Sequence, residues 1–309
     1  MDRNLDIRLK IPDDFFEEET KCDYVVSRKM KEIWAVELDL LNELLKVCKK
    51  YNLKIYADGG TTLGALRHKG YIPWDDDIDM VMLRDDYKRL CEVAESEFSE
   101  PYFFQTEQTD EGSLRGHAQL RNSNTTGALE KEADRKLSFN QGIFIDIFPL
   151  DAIPDDDDEK DIYFDELVKA KEKYWKFARW TSRVRDSKNI VKRIIKYCIG
   201  SVLKLFIKKN IFFDRFEILE DKYNSTRTKR IGKLCFSPIP EKRIWKRSWF
   251  DDVEWMPFEM LEIPVPIGHD EMMDTFFGDW RTPKKVSSTH GGVIFDVHKS
   301  YKEFFEDRR

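Results

Sequence analysis

The sequence predicts a domain of α/β or α+β class around a central sheet. Two observations carry this. Over the first 98 residues the pattern runs helix, strand, helix, strand, helix. More strand-like runs then follow up to residue 150: "PYFFQT", "HAQLRNS" and "GIFIDIFPL". A chain of 309 residues, 41% hydrophobic and 13% aromatic, is long enough to bury such a core.

Taken in order, residues 27–50 read as an amphipathic helix. Met30, Trp34, Leu38, Leu41, Leu45 and Cys48 recur at spacings of three and four, and Asn52 is a plausible stop. "LKIYA" reads as a short strand ended by Gly59 and Gly60, and "TTLGALRH" as a short helix stopped by Gly70. "DIDMVML" reads as a strand. Asp85 stands where a cap would, ahead of helical "YKRLCEVAESEF". Composition changes after residue 150. Residues 155–166 are acidic, and 169–209 are strongly basic, free of proline and helical in pattern, with Trp, Ile, Leu and Phe interleaved. From about 230 onward, proline-punctuated strand-like segments return, rich in Trp and Phe. These shifts divide the chain into 1–150, 151–229 and 230–309.

Charged residues make up 36% of the chain with both signs mixed, and the net charge is -6. The chain as a whole therefore carries no nucleic-acid footprint. The five cysteines are scattered and form no CxxC pair, so reduced cytosolic thiols are expected rather than a zinc site or a disulfide framework. The charged N-terminus does not read as a signal peptide. No stretch reaches the roughly 18 apolar residues of a membrane span. A cytoplasmic protein is expected, with any membrane contact peripheral.

The most informative stretch is "YADGGTTLGALRHKGYIPWDDDIDMVM". It holds Asp75, Asp76, Asp77 and Asp79 just ahead of an apolar run. In an extended strand Asp77 and Asp79 share a face. Carboxylates side by side are costly unless a cation or a proton joins them. Three readings compete. One is a solvated acidic turn. Another is a calcium loop, with Asp75, Asp77 and Asp79 as its first, third and fifth positions; Met80 stands where that loop needs glycine. The third is an Asp-x-Asp site binding Mg²⁺ or Mn²⁺ and nucleotide phosphates. Two features favour the third. Gly59-Gly60-Thr61 lies between a strand and a helix, where backbone N–H groups can face a phosphate. Asp146 sits inside "GIFIDIFPL", where a carboxylate among apolar neighbours needs a partner. Either an arginine pairs with it, or it joins Asp77 and Asp79 as the third carboxylate of a metal cage.

These motifs resemble the nucleotidyltransferase fold of the DNA polymerase β type. In detail, "DGGTTLGALRHKGYIPWDDDID" looks like the LicD family of phosphocholine and related phospho-polyol transferases, with fukutin and fukutin-related protein as distant members. The resemblance continues in "QLRNSNTT", "NQGIFIDIFPLD" and "FFGDWRTP". It covers roughly residues 50–150 and 230–290. The family often reads tyrosine and a double proline near the last block; Trp280, Pro283 and Lys284 depart from that.

The resemblance implies a nucleotidyltransferase-like catalytic core beginning in 1–150, an acidic linker and basic helical insertion in 151–229, and a C-terminal catalytic or acceptor region in 230–309. It implies transfer of a phosphorylated head group from a CDP-activated donor, most simply CDP-choline. The acceptor would be a sugar hydroxyl of a surface glycan or its lipid-linked precursor, and CMP would leave. Asp77, Asp79 and Asp146 would hold Mg²⁺ or Mn²⁺ against the pyrophosphate, and Asp146 would also accept the hydroxyl proton. Gly59, Gly60 and Thr61 would line the phosphate cradle. Arg67, His68, Lys69 and Arg121 are candidate phosphate contacts, with ordinary ion pairs as the alternative. His290 is a further candidate, though a loop histidine without a role is the better reading. A choline group would need an aromatic cage. Trp245, Trp249, Phe250, Trp255 and Trp280 supply rings, although core packing is the commoner fate of such residues. Ribitol or glycerol would want polar contacts instead. The basic stretch 169–209 is either scaffold or a platform for an anionic membrane surface. Rival readings are a metal-dependent glycosyltransferase and a membrane- or glycan-binding adaptor with a decayed site.

Overall fold

The computed structural model describes residues 5–133, 137–181, 191, 194–195, 198–200, 202, 211–285 and 292–307. The chain divides into two compact units. One comprises Met1–Gln105, His117–Pro149 and Ser248–Arg309, and the other Thr106–Gly116 and Leu150–Arg247.

The first unit opens with a hairpin, β1 (Glu19–Lys21) and β2 (Tyr24–Val26), followed by helix α1 (Arg28–Tyr51). The helix lies within a residue of the expected 27–50 at each end, and Asn52 is its stop as expected. Ser27 Oγ accepts from Met30 N–H at 3.3 Å, and Asn52 adopts the left-handed conformation that stops the helix. Next come β3 (Tyr56–Ala57), α2 (Gly59–His68), β4 (Asp79–Leu83) and α3 (Arg84–Glu97). Four sequence expectations change here. Strand β4 begins at Asp79, so Asp77 precedes the strand and does not share a strand face with Asp79. Helix α2 begins at Gly59, so both glycines lie in its first turn rather than before it. It ends at Lys69 (φ 55°), not at Gly70. Helix α3 starts directly behind Leu83, so Asp85 is not its cap. Asp85 sits in the first turn, where a negative charge offsets the helix dipole.

Strands β5 (Tyr102–Gln105), β6 (Ala118–Asn122) and β8 (Ile143–Ile153) follow, with β7 (Thr126–Leu129) and α4 (Glu130–Ala133) between the last two. Further along lie α5 (Asp157–Thr181), α6 (Ile211–Glu220), β9 (Arg230–Gly232), β10 (Trp245–Lys246), β11 (Val253–Phe258), β12 (Leu261–Pro266), α7 (His269–Phe277), β13 (Val293–Asp296) and α8 (Tyr301–Glu306). The first unit's sheet has the order β5-β6-β8-β4-β3. The mixed α+β class and the central sheet agree with the sequence. In register, Gln119 faces Asp146 and Arg121 faces Phe144 across the antiparallel β6–β8 pair.

Alternation along these strands gives the sheet two unlike faces. Ile78, Met80, Met82, Ala118, Leu120, Ile143, Ile145 and Ile147 belong to one apolar core with Trp34, Leu38 and Leu41 of α1. The intervening residues, Asp79, His117, Gln119, Arg121, Phe144 and Asp146, therefore lie on the other face. The polar face owes its position to the core on its back.

In the second unit, residues 151–153 of β8 pair with β9, and β9 with β10. Helices α5 and α6 share a core of Tyr163, Leu167, Tyr174, Phe213 and Phe216. The acidic run opens α5, with Asp157, Asp158 and Glu159 in its first turn, again a favourable end for negative charge. Of the basic stretch, Lys169, Lys171, Lys173 and Lys176 lie on α5. Lys171 is tied to the carbonyls of Cys235 and Ser237. Most of the remaining basic residues, from Arg183 to Lys209, fall outside the described residues, as does His290.

Candidate active site

The site grows from the joint between β3, α2 and β4. Asp58 N–H donates to the carbonyl of Asp79 at 3.0 Å, and its own carbonyl accepts from Thr62 N–H to start α2. Thr61 Oγ1 accepts from Asp79 N–H at 2.9 Å, which fastens the first turn of α2 to the start of β4. The glycines are needed for different reasons. Gly59 has φ 49°, and a Cβ there would lie 3.9 Å from Asp79 Oδ2. A Cβ on Gly60 would lie 2.5 Å from Asp75 Oδ2. The acidic cluster thus closes over the N-terminus of α2, where helix and carboxylate charges are complementary.

Asp146 joins from the neighbouring strand. Its N–H donates at 2.9 Å to the carbonyl of Ile78, the residue between Asp77 and Asp79. All three carboxylates are half-buried. Their hard oxygens suit Mg²⁺ or Mn²⁺ in kind. As placed, no three carboxylate, imidazole or thiol groups among the described residues form a ready metal cage. The Asp146 carboxylate is instead held from β6. Gln119 Nε2 donates to its Oδ1 at 2.6 Å, and His117 Nε2 lies 3.0 Å from the same oxygen.

Arg121 belongs to this arrangement but not as a surface cation. It is 1% exposed and lies over the Phe144 ring at 4.6 Å. Its guanidinium donates to Gln105 Oε1 at 2.7 Å, to the Gly142 carbonyl at 2.6 Å, and to Gln119 Oε1. Neither Gln119 nor His117 was singled out from the sequence. The signal was present: "HAQLRNS" alternates His117, Gln119 and Arg121 with Ala118 and Leu120, which is a strand with one polar face.

The remaining basic candidates sit at the far end of α2. At about 1.5 Å per residue, Arg67 lies roughly 10 Å along the axis from Gly60. Arg67 Nε donates to His68 Nε2 at 2.8 Å, and its Nη1 to the Trp280 carbonyl at 2.6 Å. Burial, then the Arg67 and Lys21 charges, push His68 down to about 4, so its ring is neutral and accepts. Lys69 is the exposed left-handed cap. The structure does not bring these three to the glycine cradle. Beneath the acidic run, Trp34 Nε1 donates to the Asp75 carbonyl at 2.9 Å, and Tyr71 stacks on Trp34 and donates to Glu37 at 2.9 Å. Burial, with the nearby charges of Asp77, Asp76 and Asp75, holds the Glu37 carboxyl well above its usual range.

Comparison with known proteins bears on this constellation. Residues 52–150 match the family described as LicD/FKTN/FKRP, nucleotidyltransferase domain. The match begins ahead of β3 and ends within β8, so it takes in both the acidic pair and Asp146. Residues 52–150 are a LicD-family domain. Over 260 residues, 81% of this chain, the protein is 28% identical to the lipopolysaccharide cholinephosphotransferase LicD of Haemophilus influenzae, covering 91% of that protein. Shorter similarities reach uncharacterized proteins of Rickettsia prowazekii (37% over 54 residues, 18% of this chain and 20% of that one) and Rickettsia typhi (40% over 69 residues, 22% of each).

Within the LicD-family domain lie Asp77, Asp79, Asp146, Gly59, Gly60, Thr61, Arg67, His68, Lys69 and Arg121; His290 lies outside it. The aromatic residues lie outside it. Trp245, Trp249, Phe250 and Trp280 are buried, and Arg281 covers the Trp280 ring at 4.1 Å. Trp255 is 54% exposed.

Proposed function

We propose that this LicD-like phosphotransferase moves phosphocholine from CDP-choline to a sugar hydroxyl of a surface glycan or its lipid-linked precursor, releasing CMP. One observation carries the reading. Within the LicD-family domain, Asp79 opens β4 and Asp146 lies on the adjoining β8, with Asp77 just ahead of β4 and the first turn of α2 fastened to the start of β4. The similarity to a lipopolysaccharide cholinephosphotransferase across most of that protein's length supports the head group. Ribitol phosphate and glycerol phosphate are the alternative cargoes. A nucleotidyltransferase-like core is part of the same proposal.

Phosphoryl transfer needs positioning and charge neutralisation more than covalent help. Asp77, Asp79 and Asp146 would hold Mg²⁺ or Mn²⁺, which supplies charge neutralisation at the pyrophosphate. Gly59, Gly60 and Thr61 would offer the first turn of α2 to the donor phosphates. Asp146 would accept the proton of the attacking hydroxyl. A metal-dependent glycosyltransferase would share the acidic pair, but the glycine turn and the separate strand carboxylate favour phosphotransfer. Retention of all three carboxylates disfavours a binding adaptor without activity.

The test is CMP release from CDP-choline, CDP-ribitol and CDP-glycerol, with lipopolysaccharide as acceptor, with and without Mg²⁺. We expect release that depends on Mg²⁺ and is fastest with CDP-choline. Asp146→Asn and Asp77→Asn should each lower kcat by about 10²–10⁴-fold while the circular dichroism spectrum is kept. Wild-type turnover in either variant at saturating Mg²⁺ would remove that residue from the mechanism.

A further inference from the structure

We propose that Gln119 and Arg121 are positioning residues for Asp146. This deepens the phosphotransfer reading and rests on it. An amide side chain can be placed either way round, because its oxygen and nitrogen differ only in hydrogen bonding. Arg121 removes that freedom. Its guanidinium has donors only, so the Gln119 atom it meets must be the acceptor Oε1. The other end, Nε2, is then fixed as a donor, and it points at Asp146 Oδ1, 2.6 Å away. Register makes the contact short: Gln119 and Asp146 are direct partners across β6 and β8.

Arg121 is itself immobilised. It is buried to 1% exposure, lies over Phe144, and is forked between Gln105 and the Gly142 carbonyl. Gln105 is held in turn, since its Nε2 donates to the Asn140 carbonyl at 3.0 Å. A hydrogen-bond chain thus runs from the buried guanidinium through the Gln119 amide to the half-buried carboxylate. The arrangement fixes the plane of the carboxylate and so the direction in which its other oxygen faces the site.

Two substitutions separate positioning from packing. Gln119→Glu keeps an acceptor for Arg121 but turns an oxygen toward Asp146. Gln119→Leu removes both contacts. Initial rates with CDP-choline, Mg²⁺ and lipopolysaccharide are compared alongside thermal unfolding. A purely structural Gln119 would leave Gln119→Glu as active as wild type, because Arg121 stays satisfied. We expect instead that Gln119→Glu lowers kcat by about 10–100-fold, at least as much as Gln119→Leu, with the donor KM within about threefold. Wild-type kcat in Gln119→Glu, in an enzyme whose wild type turns over, would overturn the positioning role alone. Absence of turnover by wild type with all three CDP donors would overturn the phosphotransfer reading, and the positioning role with it.

Discussion

At the scale of single residues, the polar face of the sheet separates two kinds of charge. Asp77, Asp79 and Asp146 are half-buried and near one another in the backbone, while Arg121 is fully buried. The histidines also differ. His117 meets Asp146 directly, whereas His68 at the end of α2 accepts from Arg67 and stays neutral. The second case has a pH signature. The folded value of about 4 lies below the ordinary 6.5, so the unfolded chain takes up a proton first as pH falls. The stability contributed by the neutral ring is therefore whole above pH 6.5 and is lost on the way down to about pH 4. His68→Gln keeps an acceptor for Arg67 and cannot be protonated in that window. Urea midpoints at pH 7 and pH 5 should fall less between the two values for His68→Gln than for wild type. Equal losses would show that His68 does not titrate across that range on unfolding.

At the scale of elements, close approach of backbones sets the tightest limits. Strand β7 pairs with β13, with Thr126 opposite Asp296 and Leu129 opposite Val293. A Cβ on Gly127 would come within 2.7 Å of Ile143 Cα, at the start of β8. Neither partner can swing aside, because both are main chain. Gly127→Val should therefore lower the stability of the fold by about 1–3 kcal/mol in urea titrations, with the loss of secondary structure and of activity sharing one midpoint. An unaltered midpoint would mean that β7 can move away from β8 freely. The β7–β13 pairing was not visible in the sequence, because its partners stand more than 150 residues apart and local periodicity says nothing about them. Local features were read well. The helix read over 27–50 with Asn52 as its stop matches α1 to within a residue at each end, and all of "GIFIDIFPL" but its first glycine lies in the strand that holds Asp146. Errors fell where two local rules compete. Paired glycines suggested a turn, yet two successive residues without side chains also fit a first helical turn beneath the Asp75 carboxylate. Asp85 matched a cap by type, but the chain enters α3 directly from β4. The polar stripe on β6 was read only at Arg121, because charge is more conspicuous than an alternating amide and imidazole.

At the scale of the whole molecule, the charge distribution is uneven. The chain carries a net -6, yet 169–209 is strongly basic. Among the described residues no helix is long and apolar enough to cross a membrane. Within the basic stretch, Ile194, Ile195, Ile199 and Val202 are exposed. Basic side chains interleaved with exposed apolar ones suit reversible contact with an anionic lipid surface, at about 1 kcal/mol per cation near it. We propose this contact as the way the protein meets lipid-linked acceptors. Replacing Lys192, Arg193, Lys196, Lys204, Lys208 and Lys209 with glutamine should abolish co-sedimentation with anionic liposomes at low salt. Turnover on a soluble acceptor should be kept. Wild-type protein that ignores such liposomes at low salt would leave the stretch as scaffold. The setting of Asp146 has a different consequence. It stands on β8, which has strands on both sides, and its amide hydrogen bonds to Ile78, just ahead of β4. Amides so placed are among the last to exchange with solvent, because exposing them requires opening the sheet. The Asp146 amide should therefore exchange slowly, and heating should disable catalysis only when that sheet itself gives way.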